Sequence, residues 1–237
     1  MEITAVKWHH FGRRATLGIA AGVAAFSATA ALALTRGGAD PTSLPLSSLS
    51  SLGHLQPAGA PGPFGPEGVP IPAGAALGRA RVLTPGEQID GITCQAGEQV
   101  LFHIHAHLTI FVRGVARQVP AGVGIAPPHE VEETPQGAFI AGAPCFMWLH
   151  THAADGIIHT ESPIQRTYTL GDFFDIWGQR LDREHVGPAG GHVTALFDGH
   201  VFTGNPRGIP LLAHAQIQLD VGAPLVAPER IVFPQGL

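Results

Sequence analysis

Lysine is almost missing from this chain. The single one, Lys7, stands near the N-terminus, and between residues 85 and 237 seven Arg face 15 Asp and Glu, a net charge of −8. Such a surface repels nucleic acid and anionic lipid and attracts cations. A glycine-rich loop able to cradle phosphate is also absent, because the glycines are scattered among turns. Methionine is scarce: the one besides Met1 is Met147, which precedes His150. A blue-copper centre runs Cys, then His, then Met, so this order argues against one. Copper(I) surfaces draw on thioethers and free thiols, and little of either is present. The two cysteines, Cys94 and Cys145, are expected to pair as a disulfide outside the cytoplasm. Closing a loop of that length stabilises a fold by roughly 4 kcal/mol in the chain-entropy picture. The alternative is a thiolate ligand at Cys145, five residues before His150.

Charge is also lacking in two long stretches. Lys7, Arg13 and Arg14 precede an uncharged run from Ala15 to Thr35, rich in Ala, Gly and Leu. Its length suffices for a membrane span of about 20 residues, and the basic flank keeps the N-terminus cytoplasmic. Small residues around Ala28-Thr29-Ala30 leave a cleaved secretory signal as the alternative. Either way, residues 1–36 are read as a signal or membrane anchor, and the rest of the chain is expected to lie outside the cytoplasm. Residues 37–84 are Pro, Gly, Ser, Ala and Leu without periodicity and read as a flexible, disordered linker. Residues 85–237 are the expected globular domain.

Histidine is what the chain has instead. Within Phe102-His-Ile-His-Ala-His-Leu-Thr-Ile-Phe-Val112 the even positions are all apolar. Side chains alternate across a strand, so His103, His105 and His107 share the other face. A second stretch runs from Trp148 to Glu161 and contains His150, His152, Asp155-Gly156, His159 and Glu161. Asp-Gly suits a type I′ turn, which predicts a hairpin with His152 opposite His159 and His150 opposite Glu161. A four-residue loop would slide this pairing yet keep all four side chains on one face. Residues two apart on a strand are about 6.5 Å apart and cross-strand partners about 5 Å. Two neighbouring His can therefore share an ion, whereas three along one strand cannot. The expected site for a divalent metal, zinc or copper(II), combines His150, His152 and His159 with or without Glu161, or takes one or two of these with a pair from His103, His105 and His107. A hydrogen-bonded or pH-responsive polar cluster is the competing reading.

The remaining elements set the scaffold. The first His strand turns at Arg113-Gly114 and returns as Val115 to Val119. A loop from about Ala126 to Ala143 carries His129, Glu130, Glu132 and Glu133, and a loop this long often covers a site. Thr169-Leu-Gly-Asp172 reads as a helix N-cap, and Leu170, Phe173, Phe174, Trp177 and Leu181 follow at helical spacing. Val193 to Phe197 reads as a strand turning at Asp198-Gly199, and Ala215 to Val221 as a closing strand. The expected class is α+β, mainly β, a hairpin-rich sheet with one short covering helix. Its C-terminal part is expected to be β-grasp-like, with the 101–119 hairpin as an addition and a small β-sandwich as the alternative.

His103-Ile-His-Ala-His-Leu, Leu149-His-Thr-His-Ala-Ala-Asp-Gly-Ile-Ile-His-Thr-Glu-Ser and Tyr168-Thr-Leu-Gly-Asp-Phe-Phe-Asp-Ile-Trp-Gly together resemble an uncharacterised group of secreted or membrane-anchored His-rich proteins from actinobacteria and ammonia-oxidising archaea. The resemblance covers roughly residues 90–225. It implies an extracytoplasmic location and carries over no catalytic residue. The function expected is extracytoplasmic divalent-metal binding. One alternative is a metal-dependent hydrolase or lyase with Glu161 or Asp155 as general base. The other is a cell-surface interaction domain whose His and Trp148 only line a groove.

Overall fold

The computed structural model describes residues 44–237. The signal or anchor segment, 1–36, lies outside the described residues, as do positions 37–43 of the expected linker. Among the described residues no helix is long and apolar enough to cross a membrane.

One eight-stranded sheet organises the fold. Its strands are β1 (Leu46–Ser47), β2 (Phe102–Val112), β3 (Val115–Arg117), β6 (Leu149–His150), β7 (Ile157–Ser162), β8 (Val193–Phe197), β9 (His200–Phe202) and β10 (Gln216–Val221). A separate hairpin is made by β4 (Glu130–Thr134) and β5 (Gly137–Gly142), and one helix, α1, spans Leu170–Trp177. The sheet order is β1-β9-β8-β10-β2-β7-β6, with β3 on the far half of β2. Only the β10–β2 pair is parallel. A parallel pair needs a long crossover. Here the chain from β2 to β10 supplies it, with α1 laid across one face.

The fold is mainly β with one short helix, as expected, but its mixed sheet is built on a different first strand. The long His strand β2 is the centre of the sheet rather than an addition, because β10 lies beside it from His107 to Val112. The second His stretch supplies the neighbouring strand β7 and only a two-residue edge strand, β6. A single main sheet replaces the alternative of a sandwich.

Alternation decides which face is dry. Ala106, Leu108 and Ile110 of β2, Ile158 of β7, Leu149 of β6 and Ile217, Leu219 and Val221 of β10 join one core. α1 covers it with Leu170, Phe173, Phe174, Ile176 and Trp177, all fully buried. Thr169 and Asp172 form the expected capping box, and Gly178 closes the helix in the left-handed region at φ 73°. Both Asp198-Gly199 and Arg113-Gly114 have positive φ at both positions, the geometry of a type I′ hairpin turn.

The opposite sheet face is covered by chain expected to be linker. Residues 44–84 are packed down, so the ordered part does not begin near residue 85. Gln56 exchanges backbone bonds with Leu225 and Ala227, Leu77 bonds Gln118, and Val69, Leu77 and Leu83 are buried. Composition misleads here because this segment borrows partners for its main chain from the folded part. It needs only a few buried side chains of its own.

Loss of the capping box in Thr169→Ala should destabilise the chain by about 1 kcal/mol. Urea denaturation would show this as a lower midpoint with an unchanged slope.

Candidate metal centre

The centre is built across three strands. Register places His105 opposite His159 and His103 opposite Glu161 on the β2–β7 side. On the β6–β7 side His150 is opposite His159. That pairing is slid by two residues from the expected tight hairpin. Of Asp155 and Gly156 only the glycine is left-handed, at φ 89°, so no type I′ turn forms. The slide preserves the shared face, as an even shift must. Gly156 is required there because a Cβ would stand 2.5 Å from the Leu108 carbonyl oxygen.

The six side chains converge into two overlapping groups. His103, His105, His159 and Glu161 form one, and His150, His152, His159 and Glu161 the other, with donor atoms in each group within 4.8 Å of one another. His105, His150, His152, His159 and Glu161 are buried.

Backbone carbonyls fix the ring orientations on the second side. His150 Nδ1 lies 2.9 Å from the Met147 oxygen, and His152 Nδ1 lies 2.5 Å from the Ile140 oxygen. A carbonyl can only accept, so both Nδ1 atoms carry the proton and both Nε2 atoms carry a lone pair. Those Nε2 atoms face each other at 3.0 Å. Two lone pairs cannot hydrogen-bond; a cation between them resolves the contact. Nitrogens each about 2.0–2.1 Å from a tetrahedral zinc stand roughly 3.3 Å apart, close to what is seen.

On the first side His103 Nε2 and His105 Nε2 are 3.0 Å apart, and His105 Nε2 is 3.1 Å from His159 Nδ1. Glu161 Oε1 completes the group, 3.0 Å from His103 Nε2 and 3.5 Å from His159 Nδ1. His159 turns its Nε2 to Glu67 Oε1 at 2.6 Å. This is the carboxylate–imidazole arrangement that orients metal-binding histidines.

Proton affinities follow the surroundings. Burial holds His150 and His152 below the ordinary range and His105 at about 3, reinforced in each case by neighbouring imidazoles. Burial also opposes a charge on His159, but the hydrogen bonds and charges of Glu161 and Glu67 prevail and push it up to about 9. For Glu161, burial is outweighed by His159, His103 and His152, and its carboxyl is lowered. Burial and the adjacent Glu161 raise Glu98.

His107 and Asp155 do not join. His107 Nε2 donates to the Asp155 carbonyl oxygen at 2.9 Å, consistent with its distance along β2 from the other ligands. The Asp155 carboxylate accepts from the Ile157 N–H, and burial together with the Glu67 charge pushes it up to about 8. It shapes the connection between β6 and β7 and lies in neither donor group.

Cys94 and Cys145 form a disulfide rather than leaving a thiolate for a metal. The bridge stands beside paired backbone bonds between Gln95 and Phe146 and the Trp148–Gln95 side-chain bond. It thereby steadies the turn that offers the Met147 oxygen to His150.

Three contributions came from outside the His motifs. Glu67 is the only charged residue between positions 41 and 78, a signal that composition offered and averaging hid. Glu98, in the loop before β2, places Oε1 3.4 Å from His152 Nε2. The long 126–143 loop proves to be the β4–β5 hairpin, and Phe139 stacks on His152 at 4.6 Å between ring centroids.

Comparison with known protein families, with curated proteins and with solved structures found no match.

Burial holds His107 at about 4, so the metal-free fold takes up this proton less readily than the unfolded chain, which titrates near 6.5. The stability this group confers is full above pH 6.5 and is lost as pH falls toward 4, by about 3 kcal/mol. His159 acts oppositely: its contribution is full below pH 6.5 and lost as pH rises through about 9. Chelator-treated protein should therefore unfold at lower urea at pH 4 than at pH 7, and His107→Gln should reduce that difference.

Proposed function

We propose that this is an extracytoplasmic divalent-metal-binding domain that holds zinc or copper(II) through His150, His152, His159, His103, His105 and Glu161. The observation that carries the reading is the facing pair of Nε2 lone pairs on His150 and His152, locked by backbone acceptors and kept from protonation by burial. Imidazole nitrogens with one or two carboxylates suit zinc and copper(II); calcium and magnesium prefer oxygen. The disulfide supports an oxidising compartment. The uncharged run after Arg14 supplies export or a membrane anchor, and the resemblance to secreted and anchored His-rich proteins points the same way.

A metal-dependent hydrolase or lyase is the alternative to binding alone. A cavity of about 650 Å³ borders the same sheet face, lined by His107, Thr109 and Phe111 with Pro, Gly and Ala residues of the 58–74 segment. None of the six ligands lines it. Ions reach the cluster past His103 and Glu98, whose side chains are 38% and 36% exposed.

Isothermal titration of the untagged chain with zinc and with copper(II) tests this reading. Binding tighter than micromolar is expected, and His152→Ala should weaken it by several kcal/mol, since structural zinc sites total about 10–16 kcal/mol over their ligands. His185→Ala and His200→Ala, remote from the cluster, should leave affinity unchanged. Glu67→Gln should weaken binding about 10- to 100-fold by releasing the His159 ring. No binding tighter than millimolar, or equal losses from the remote histidines, would contradict the proposal.

A further inference from the structure

We infer that the cluster is a dinuclear centre in which Glu161 bridges two ions. His103, His105 and His159 hold one ion; His150 and His152, with Glu98, hold the other. The inference rests on the metal-binding reading above and adds the number of ions and their division.

A His-x-His pair occurs on each side of β7. On β2, His103 and His105 bring their Nε2 atoms to 3.0 Å; on the β6 side, His150 and His152 do the same, also at 3.0 Å. One ion satisfies one such pair. β7 runs between them and contributes His159 and Glu161, two residues apart and on the same face. With its Nε2–H given to Glu67, the neutral His159 ring offers one lone pair, at Nδ1, and can serve only one ion. Its contact at 3.1 Å with His105 Nε2 assigns it to the β2 side.

Glu161 can serve both because it has two oxygens aimed apart. Oε1 lies 3.0 Å from His103 Nε2, within the β2 group. Oε2 lies 4.0 Å from His150 Nε2, on the β6 side. Oε2 is buried without a hydrogen-bond partner, on a side chain only 4% exposed. A buried carboxylate oxygen left without a donor is costly, and an ion beside His150 would supply its partner. The β6-side set then needs a fourth donor, which Glu98 Oε1 offers 3.4 Å from His152 Nε2. The result is three imidazoles and a carboxylate oxygen for one ion, two imidazoles and two carboxylate oxygens for the other. Paired ions sharing a carboxylate are a recurrent arrangement, typically about 3.5–4 Å apart.

Glu161, Glu98 and Glu67 bring three carboxylates against the cluster, which offset three of the four positive charges of two divalent ions.

Copper(II) titration of the untagged full chain, followed by calorimetry and electron paramagnetic resonance, tests the inference. Two equivalents are expected, with the signal of the first equivalent losing intensity through spin coupling as the second binds. Glu98→Gln, at an exposed loop position, should weaken the second ion about tenfold and leave the first unchanged. The paired substitutions His103→Ala with His105→Ala, and His150→Ala with His152→Ala, should each leave one ion bound. Saturation at one equivalent, or two uncoupled signals, would overturn the dinuclear centre while leaving metal binding intact. No binding at all would overturn both. Because the coupling is read on the unaltered chain, the test does not depend on any variant folding.

Discussion

Two imidazole nitrogens held face to face without a proton between them are the constraint around which this structure is arranged. His150 and His152 each spend their one N–H on a main-chain carbonyl, which leaves 3.0 Å between two acceptors. Holding them there takes several remote parts of the chain. The Cys94–Cys145 bridge steadies the strand entry that presents the Met147 oxygen, and the β4–β5 hairpin brings Ile140 and Phe139 onto His152. Glu67 reaches across from the N-terminal covering segment to turn the His159 ring. Local repulsion at the centre is thus offset by packing and hydrogen bonds spread over the fold.

The sheet makes this possible by separating its faces. One face is an apolar layer under α1, continuous from β8 through β10 and β2 to β7. Burying imidazoles and carboxylates on the other face is expensive unless each finds a partner. Partners come from the sheet itself, since cross-strand register sets His105 beside His159 and His103 beside Glu161. Cover comes from residues 44–84 and the segment after β10, whose Val226 N–H donates to Asp220 of β10, which also accepts from Gln218. A central parallel strand pair under a single helix leaves this second face free to hold polar chemistry.

Much of this was legible in the sequence because strand periodicity is a strict rule. The alternation in 102–112 identified both the core side and the His side of β2, and the helix cap at Thr169 and the turns at Arg113 and Asp198 were written locally, whereas the type I′ turn expected at Asp155-Gly156 did not form. The face shared by His150, His152, His159 and Glu161 survived a two-residue slip in pairing for the same reason. What escaped were contacts with no period. Glu67 acts 92 residues away from His159, in a stretch whose average composition resembles a flexible tether. Glu98 and Ile140 act through loop placement, and the main chain of Ile140 contributes an atom that every residue type possesses. His107 shared the periodicity of the other histidines, yet the Asp155 carbonyl claimed its Nε2.

Anomalous diffraction at the zinc edge from zinc-loaded crystals of this chain tests the central claim most directly. The account predicts a peak between the facing rings, about 2.0–2.1 Å from both His150 Nε2 and His152 Nε2. Crystals grown with excess zinc in which those nitrogens remain in direct contact, with no anomalous density between or beside them, would contradict it.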